Sequence, residues 1–443
     1  MELRDLIATP IVLLVVYSLA YALRPFICDE VTRGYFLPAL TLKVIGAVAL
    51  GFIYQFYYNG GDTYAYHTHG SREIWNAFMD SPSLGIRLIF ADGKYQPGFY
   101  DFMESIWYFR DQNSYFIIRI ATIFDFITFS SYSGTAVLFS VLGFCGGWML
   151  FLTFYKMHRE LHGWIALSTL FIPSVIFWGS GILKDTVTLS FLGVGTYAFY
   201  ALFVERHFSV SNIFLLLLSL FVIFSIKKYI LVTFVGAATV WVFFSYFSKL
   251  QSLMIRITVI PFLLVGCSVI AYFAINKVVA DDPKYALDKI AQTSKITAYD
   301  IRFLTGRDAG SGYTLGELDG TFTGMLALAP AAVNVSLFRP YIWEIKNPLM
   351  LISAFESLCL LLLTVYVLAK VRSRIFRYLQ IPEIAFCFVF AIIFAFGVGV
   401  STYNFGTLAR YKIPMLPFYM LALGFVLDYW NKDKKLVALE DTE

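Results

Sequence analysis

Stretches of roughly 20 apolar residues recur from one end of the 443-residue chain to the other, and each can cross the ~30 Å hydrocarbon layer of a bilayer as a helix. Backbone in lipid has no water to satisfy its amides, so only internally bonded helices or closed barrels span it. The runs are continuous rather than alternating, which selects helices. They cover about residues 5–24, 35–57, 133–156, 163–178, 185–204, 209–226, 229–247, 254–276, 346–369, 381–402 and 411–429, with one more if 114–130 also crosses. Only 14% of residues are charged, against roughly 25% in soluble domains, so a water-soluble fold is excluded. The expectation is an all-α polytopic membrane protein, a single transmembrane domain over 1–443 with about 11–12 transmembrane helices.

Lys plus Arg is 34 against 30 for Asp plus Glu, a formal charge of +4. That small excess gives no basis for nucleic-acid binding, which leaves a basic patch or stripe. Cys28, Cys145, Cys267, Cys359 and Cys387 are scattered, so neither a metal knuckle nor a disulfide framework is indicated. The first run carries Ala20-Tyr21-Ala22, which has the form of a signal-peptidase site. Its leading segment of Glu2, Arg4 and Asp5 lacks the positive bias of a signal peptide, so it reads as a retained span.

Orientation follows from Lys and Arg in the short connections. Lys370, Arg372, Arg374 and Arg377, with Lys432, Lys434 and Lys435, mark the cytoplasmic side. Alternating backwards puts Arg410, the loop 277–345, Lys227-Lys228 and Lys184-Asp185 outside, and Lys249 with Arg256 inside. Residues 114–130 contain Arg119 and Asp125, both costly in lipid, and read as an interfacial or half-inserted helix. On that reading Asp62 lies outside with Lys184; if the segment spans, Asp62 is cytoplasmic. The first long loop, 59–132, interleaves Trp75, Tyr95, Phe99, Tyr100, Trp107 and Tyr108 with Arg72, Arg87, Lys94 and Arg110. That pattern predicts helices at headgroup level.

Several constellations could carry chemistry. Asn59-Gly60-Gly61-Asp62-Thr63-Tyr64-Ala65-Tyr66-His67-Thr68-His69 follows the second span directly. The glycines permit a sharp turn, and a carboxylate at the membrane surface can act as general base for a hydroxyl acceptor; equally, Asp62 can serve as a helix cap. A zinc site is disfavoured, since His67 and His69 at i, i+2 do not share a helical face. Pro173 to Lys184-Asp185 forms a helix end, a glycine-loosened turn and a new helix start. There the acid and base can hold a sugar hydroxyl and a phosphate, or Asp185 can complement the dipole while Lys184 snorkels. Lys227-Lys228 is a cationic pair suited to an anionic headgroup, or a solvated turn.

Late in the chain, Arg339-Pro340-Tyr341-Ile342-Trp343-Glu344 precedes a span containing Glu356. Arg339 can grip a phosphate with two parallel hydrogen bonds. Glu356, near mid-span, needs protein or water as partner, and a buried basic residue would provide a structural pair. Asn404 to Arg410-Tyr411 brings a second Arg to the same predicted face.

In this order the pieces resemble the GT-C superfamily of integral-membrane glycosyltransferases, in particular its bacterial protein-mannosyltransferase-like and oligosaccharide-polymerase-like branch. The matching stretches are Gly61 to His67, Pro173 to Asp185, Arg339 to Glu344 and Asn404 to Tyr411. An Asp-x-Asp pair in the first loop and a sizeable soluble C-terminal domain are both missing from the pattern. The resemblance implies transfer of a sugar or oligosaccharide from a polyprenyl-phosphate-linked donor on the extracytoplasmic face of a bacterial inner membrane. Asp62 and Asp185 would be catalytic. Tyr66, His67, Lys184, Lys227, Lys228, Arg339, Glu344, Asn404 and Arg410 would bind substrate, the cations stabilising the departing phosphate. No resident cofactor is implied, although a divalent metal fits if Asp62 and Asp185 meet. Two other classes remain open, a transporter of an anionic lipid-linked substrate and a non-catalytic subunit of a larger complex.

Overall fold

In the computed structural model of the chain, the residues described are 2–94, 96–247, 289–304, 311–316 and 319–440. The expected span at 254–276 lies outside them, as do Tyr95, Lys249 and Arg256. Among the described residues the protein is helical with no strand, and seven helices are long and apolar enough to cross a membrane. An eighth span is formed if Phe405–Tyr411 and Met415–Leu439, bent by 66°, count as one. This is an all-α polytopic membrane protein. The run expected at 163–178 forms a pair of helices broken before Pro173, and that at 209–226 forms one helix over Val210–Ile226. The chain divides into two compact units, 1–227 and 228–443.

The first unit opens with α1 (Leu3–Ile27) and α2 (Arg33–Phe52), the latter extended by a π-turn over Ile53–Tyr57. Helix α1 buries Ala8, Val12, Val16 and Ala20, a stripe at i, i+4 spacing, and turns Leu6, Ile7, Leu14 and Leu19 outward. In water that exposure would be costly, whereas in lipid these side chains meet their own kind. Four short helices follow, α3 (Asp62–Tyr66), α4 (Arg72–Asp80), α5 (Pro82–Ile89) and α6 (Tyr100–Ser105). They share a core with Ile74, Leu88, Phe99 and Phe109 at its centre, and leave Met79, Phe90, Tyr100 and Trp107 exposed. The first long loop is therefore folded and helical, with several apolar side chains on its surface.

Next come α7 (Gln112–Thr128), α8 (Tyr132–Met157), α9 (His162–Leu170), α10 (Pro173–Trp178), α11 (Lys184–Phe199) and α12 (Val210–Ile226). Helix α7 is the segment with two charges, and the protein answers both. Arg119 donates to the Ala91 carbonyl at 2.6 Å and to Gln112 at 2.9 Å, while buried Asp125 accepts from Ser71 and Thr135. At 17 residues it falls outside the helices long and apolar enough to cross.

Glycine sets the closest packing, that of α8 on α11. A Cβ at Gly146 would lie 2.2 Å from Ser190 Cα, and one at Gly193 2.1 Å from the Gly146 carbonyl. Small residues allow this backbone approach, the usual basis of helix association in lipid.

The second unit begins with α13 (Lys228–Phe247), which packs on the Pro382–Thr402 helix, Trp241 stacking on Phe386 at 4.4 Å. The Ala329–Phe338 helix packs on the same partner, where a Cβ at Gly399 would meet the Ala332 carbonyl at 2.3 Å.

Candidate functional site

Three successive residues with positive φ, Asn59, Gly60 and Gly61, turn the chain out of α2 and into α3. Glycine is needed because a side chain is strained at φ near +125°. A Cβ at Gly61 would also press on the Tyr54 ring at 2.9 Å. Gly61 holds the N-cap position and Asp62 the first helical one, so its carboxylate complements the helix dipole instead of capping. Half-buried, it accepts from the Tyr108 hydroxyl at 3.2 Å.

Around Asp62 the first unit gathers a group of charges. Lys184, at the start of α11, reaches Asp111 at 3.3 Å and feels the charges of Asp111, Lys227 and Asp62. Lys227, at the end of α12, lies 2.5 Å from Asp185, with Asp185 fully buried and Lys227 nearly so. Thus Asp62, Lys184, Asp185 and Lys227, distant in sequence, meet at one end of this unit. Asp185 is partnered by an ammonium group, and among the described residues no three His, Cys, Asp or Glu side chains are grouped to hold a metal ion.

Asp111 was not among the residues the sequence singled out. It caps α7 by accepting from the Asn113 amide and holds Ser114 as well. Burial works to raise its carboxyl, but the Lys184 ammonium and these hydrogen bonds outweigh that and hold it below the usual aspartate value. Asp111-Gln112-Asn113-Ser114 ahead of an apolar run is a helix-start signal, so its position was legible even though its ion pair was not.

Tyr66 and His67 face inward. Tyr66 is 2% exposed, with its ring 5.3 Å from that of Tyr108. His67 is fully buried, edge-on to Tyr132 and 3.4 Å from Asp125. His69 stacks on Trp107 at 4.1 Å. All three rings pack within the segment that carries Asp62.

In the second unit, Lys228 opens α13 and is half-buried. Arg339 makes a two-pronged pair with Glu344, whose carboxylate also accepts from the Tyr341 amide. The guanidinium lies 5.2 Å from the Phe405 ring and 5.7 Å from that of Tyr313. Phosphate binding at Arg339 would have to displace an intramolecular carboxylate. Burial raises the Glu344 carboxyl, yet the Arg339 and Tyr341 hydrogen bonds prevail and hold it below the ordinary glutamate value.

Asn404 caps the Phe405–Tyr411 helix through the Gly406 and Thr407 amides and donates to Ser311. Arg410, on that helix, is half-buried with its guanidinium 6.0 Å from the Tyr411 ring. Buried Glu356 acts electrostatically on buried Lys412, the basic partner its depth called for.

No family profile, no curated protein and no solved structure matches the chain.

Proposed function

We propose that the protein is a membrane glycosyltransferase that moves a sugar from a polyprenyl-phosphate-linked donor to a hydroxyl acceptor on the extracytoplasmic face of a bacterial inner membrane. The observation that carries this reading is the grouping of Asp62 with Lys184, Asp111, Asp185 and Lys227 at one end of the first unit. Asp62 is the reachable acid, half-buried, oriented by Tyr108 and set where a glycine turn leaves the membrane helix. In this reaction its carboxylate takes the acceptor proton as the acceptor oxygen attacks the anomeric carbon. Lys184, the most solvent-accessible cation of that group after its pairing with Asp111, stabilises the charge developing on the phosphate leaving group. The resemblance to the GT-C superfamily at Gly61 to His67 and Pro173 to Asp185 points the same way.

Purified Asp62→Asn protein, offered a polyprenyl-phosphate sugar and an acceptor, is expected to lose about 10²- to 10⁴-fold in transfer rate, the usual span for a general base, with unchanged thermal unfolding. Full transfer by that variant sinks the assignment. A second reading, transport of an anionic lipid-linked substrate, draws on the span bent by 66° at residues 411–415, because discontinuous helices commonly carry transporter binding sites. Vesicles settle the choice: translocation of the lipid-linked substrate with no new glycosidic bond favours transport.

A further inference from the structure

We propose that a cavity in the first unit, enclosed by α1, α2 and α8, binds one zwitterionic glycerophospholipid whose headgroup ends in a primary ammonium, of the phosphoethanolamine type. The inference is independent of the transfer reaction. The cavity has a volume of about 280 Å³. Its walls come from the first turns of α1 and α8 and the last turns of α2, with Tyr64, Thr68 and Arg72 added by the segment that follows α2.

Polarity is graded along its depth. Of the lining residues, Glu2 and Gln55 are exposed and Arg72 and Thr68 half-buried, whereas Ala47 and Ala136 are buried and Val48 half-buried beside them, so the polar set marks the mouth and the apolar set the interior. From Phe56 to Ala47 along α2 is about 13 Å at 1.5 Å per residue, most of one leaflet's hydrocarbon depth. The space suits a headgroup, its glycerol and the first methylenes, with the acyl chains continuing along the outward apolar face of α1. Between the two zones the Thr9 hydroxyl lines the cavity, buried, with no hydrogen-bond partner among the described residues. It stands about two helical turns below Glu2, where a lipid presents its glycerol ester carbonyls, to which a hydroxyl donates.

The charges at the mouth select the headgroup. Arg72 donates to Glu2 at 2.5 Å and to the Ser130 carbonyl at 3.1 Å. Glu2 also faces Arg4 at 3.0 Å, and buried Asp5 accepts from Ser131 and the Ser133 amide. Two carboxylates thus stand against two guanidinium groups. An anionic lipid would bring a charge with nothing to offset it. A zwitterion instead exchanges partners: its phosphate takes Arg72 and its ammonium takes Glu2, leaving the charge balance unchanged. A primary ammonium has three donors, which Glu2 accepts together with the second lone pair of the Gln55 oxygen, whose first takes the Tyr64 hydroxyl at 2.8 Å, whereas a quaternary ammonium has none to offer them.

The test titrates the purified full-length protein with dioleoyl phosphoethanolamine, phosphocholine and phosphoglycerol lipids and with a polyprenyl phosphate, and counts bound lipid by native mass spectrometry. Phosphoethanolamine is expected to exceed each of the others at least fivefold. Glu2→Gln should erase that preference, and Val48→Trp, which fills the interior, should cut total binding at least fivefold. Equal binding of all four lipids, tightest binding of the polyprenyl phosphate, or a preference that survives Glu2→Gln overturns the proposal. Glu2 is exposed, so that variant keeps the test decisive even where Val48→Trp fails to fold.

Discussion

At the scale of single residues, the same side-chain type does different work according to what surrounds it. Asp62 is half-buried and accepts from the Tyr108 hydroxyl, whereas Asp125 is sealed in the core. The Ser71 and Thr135 hydroxyls donate to Asp125, and His67 lies 3.4 Å away. Removing the Asp125 carboxylate takes one buried acceptor from both hydroxyls, which keep only Thr128 and the His67 carbonyl, so Asp125→Ala is expected to destabilise the protein by about 1–3 kcal/mol, read as a lowered unfolding temperature in detergent.

Glu344 yields a pH prediction. Its carboxyl is held below the ordinary value in the folded protein, so the folded state binds the proton less readily than the unfolded chain does. The resulting stability is complete above the unfolded value of about 4.3 and is lost as pH falls through the folded value. Unfolding temperature should therefore drop on acidification below about pH 5, and Glu344→Gln should flatten that limb. Asp62 and Lys184 could be named from the sequence by their placement beside glycine turns at helix ends. The burial of Tyr66 and His67 could not, because a short polar stretch after a span reads as loop until the helices that cover it are known.

At the scale of elements, helix packing rests on the absence of side chains. The α8–α11 contact leaves no room for a Cβ at Gly146 or Gly193, and the atoms in the way are backbone, which cannot swing aside as a side-chain tip can. Gly146→Ala is expected to cost about 1–3 kcal/mol, the range for overpacking a close contact, and Gly146→Leu more. Chemical denaturation of detergent-solubilised protein measures both, and a neutral Gly146→Leu would contradict the packing described. Long uninterrupted runs became helices close to where the sequence placed them, since twenty apolar residues in lipid have few alternatives. The run at 209–226 became one helix over Val210–Ile226, whereas that at 163–178 did not stay whole. Pro173 breaks the latter, being a poor continuation but a good first-turn residue, and hydropathy alone does not register such a break. Arg119 and Asp125 set α7 apart from the apolar runs, and both charges are met inside the protein.

At the scale of the whole molecule, sidedness is the property on which the functional reading turns. Charge asymmetry predicts that the loop from residue 59 and the basic connection at 370–377 lie on opposite faces of the membrane. Cysteine placed at Asp101 and at Ser373, both exposed and outside the candidate site, is expected to react with an impermeant thiol reagent from opposite sides, Asp101→Cys from outside. Labelling of both positions from one side would remove the extracytoplasmic assignment. Membrane residence and helical class were determined by the sequence alone, because transfer of apolar length into lipid depends on local composition and on nothing distant. Only the tertiary structure decided which charges meet: that Lys184 finds Asp111, that Lys227 covers Asp185 and that Arg339 is held by Glu344. Electrostatic energy falls off with separation in space, and the first two pairings join residues 73 and 42 positions apart in the chain.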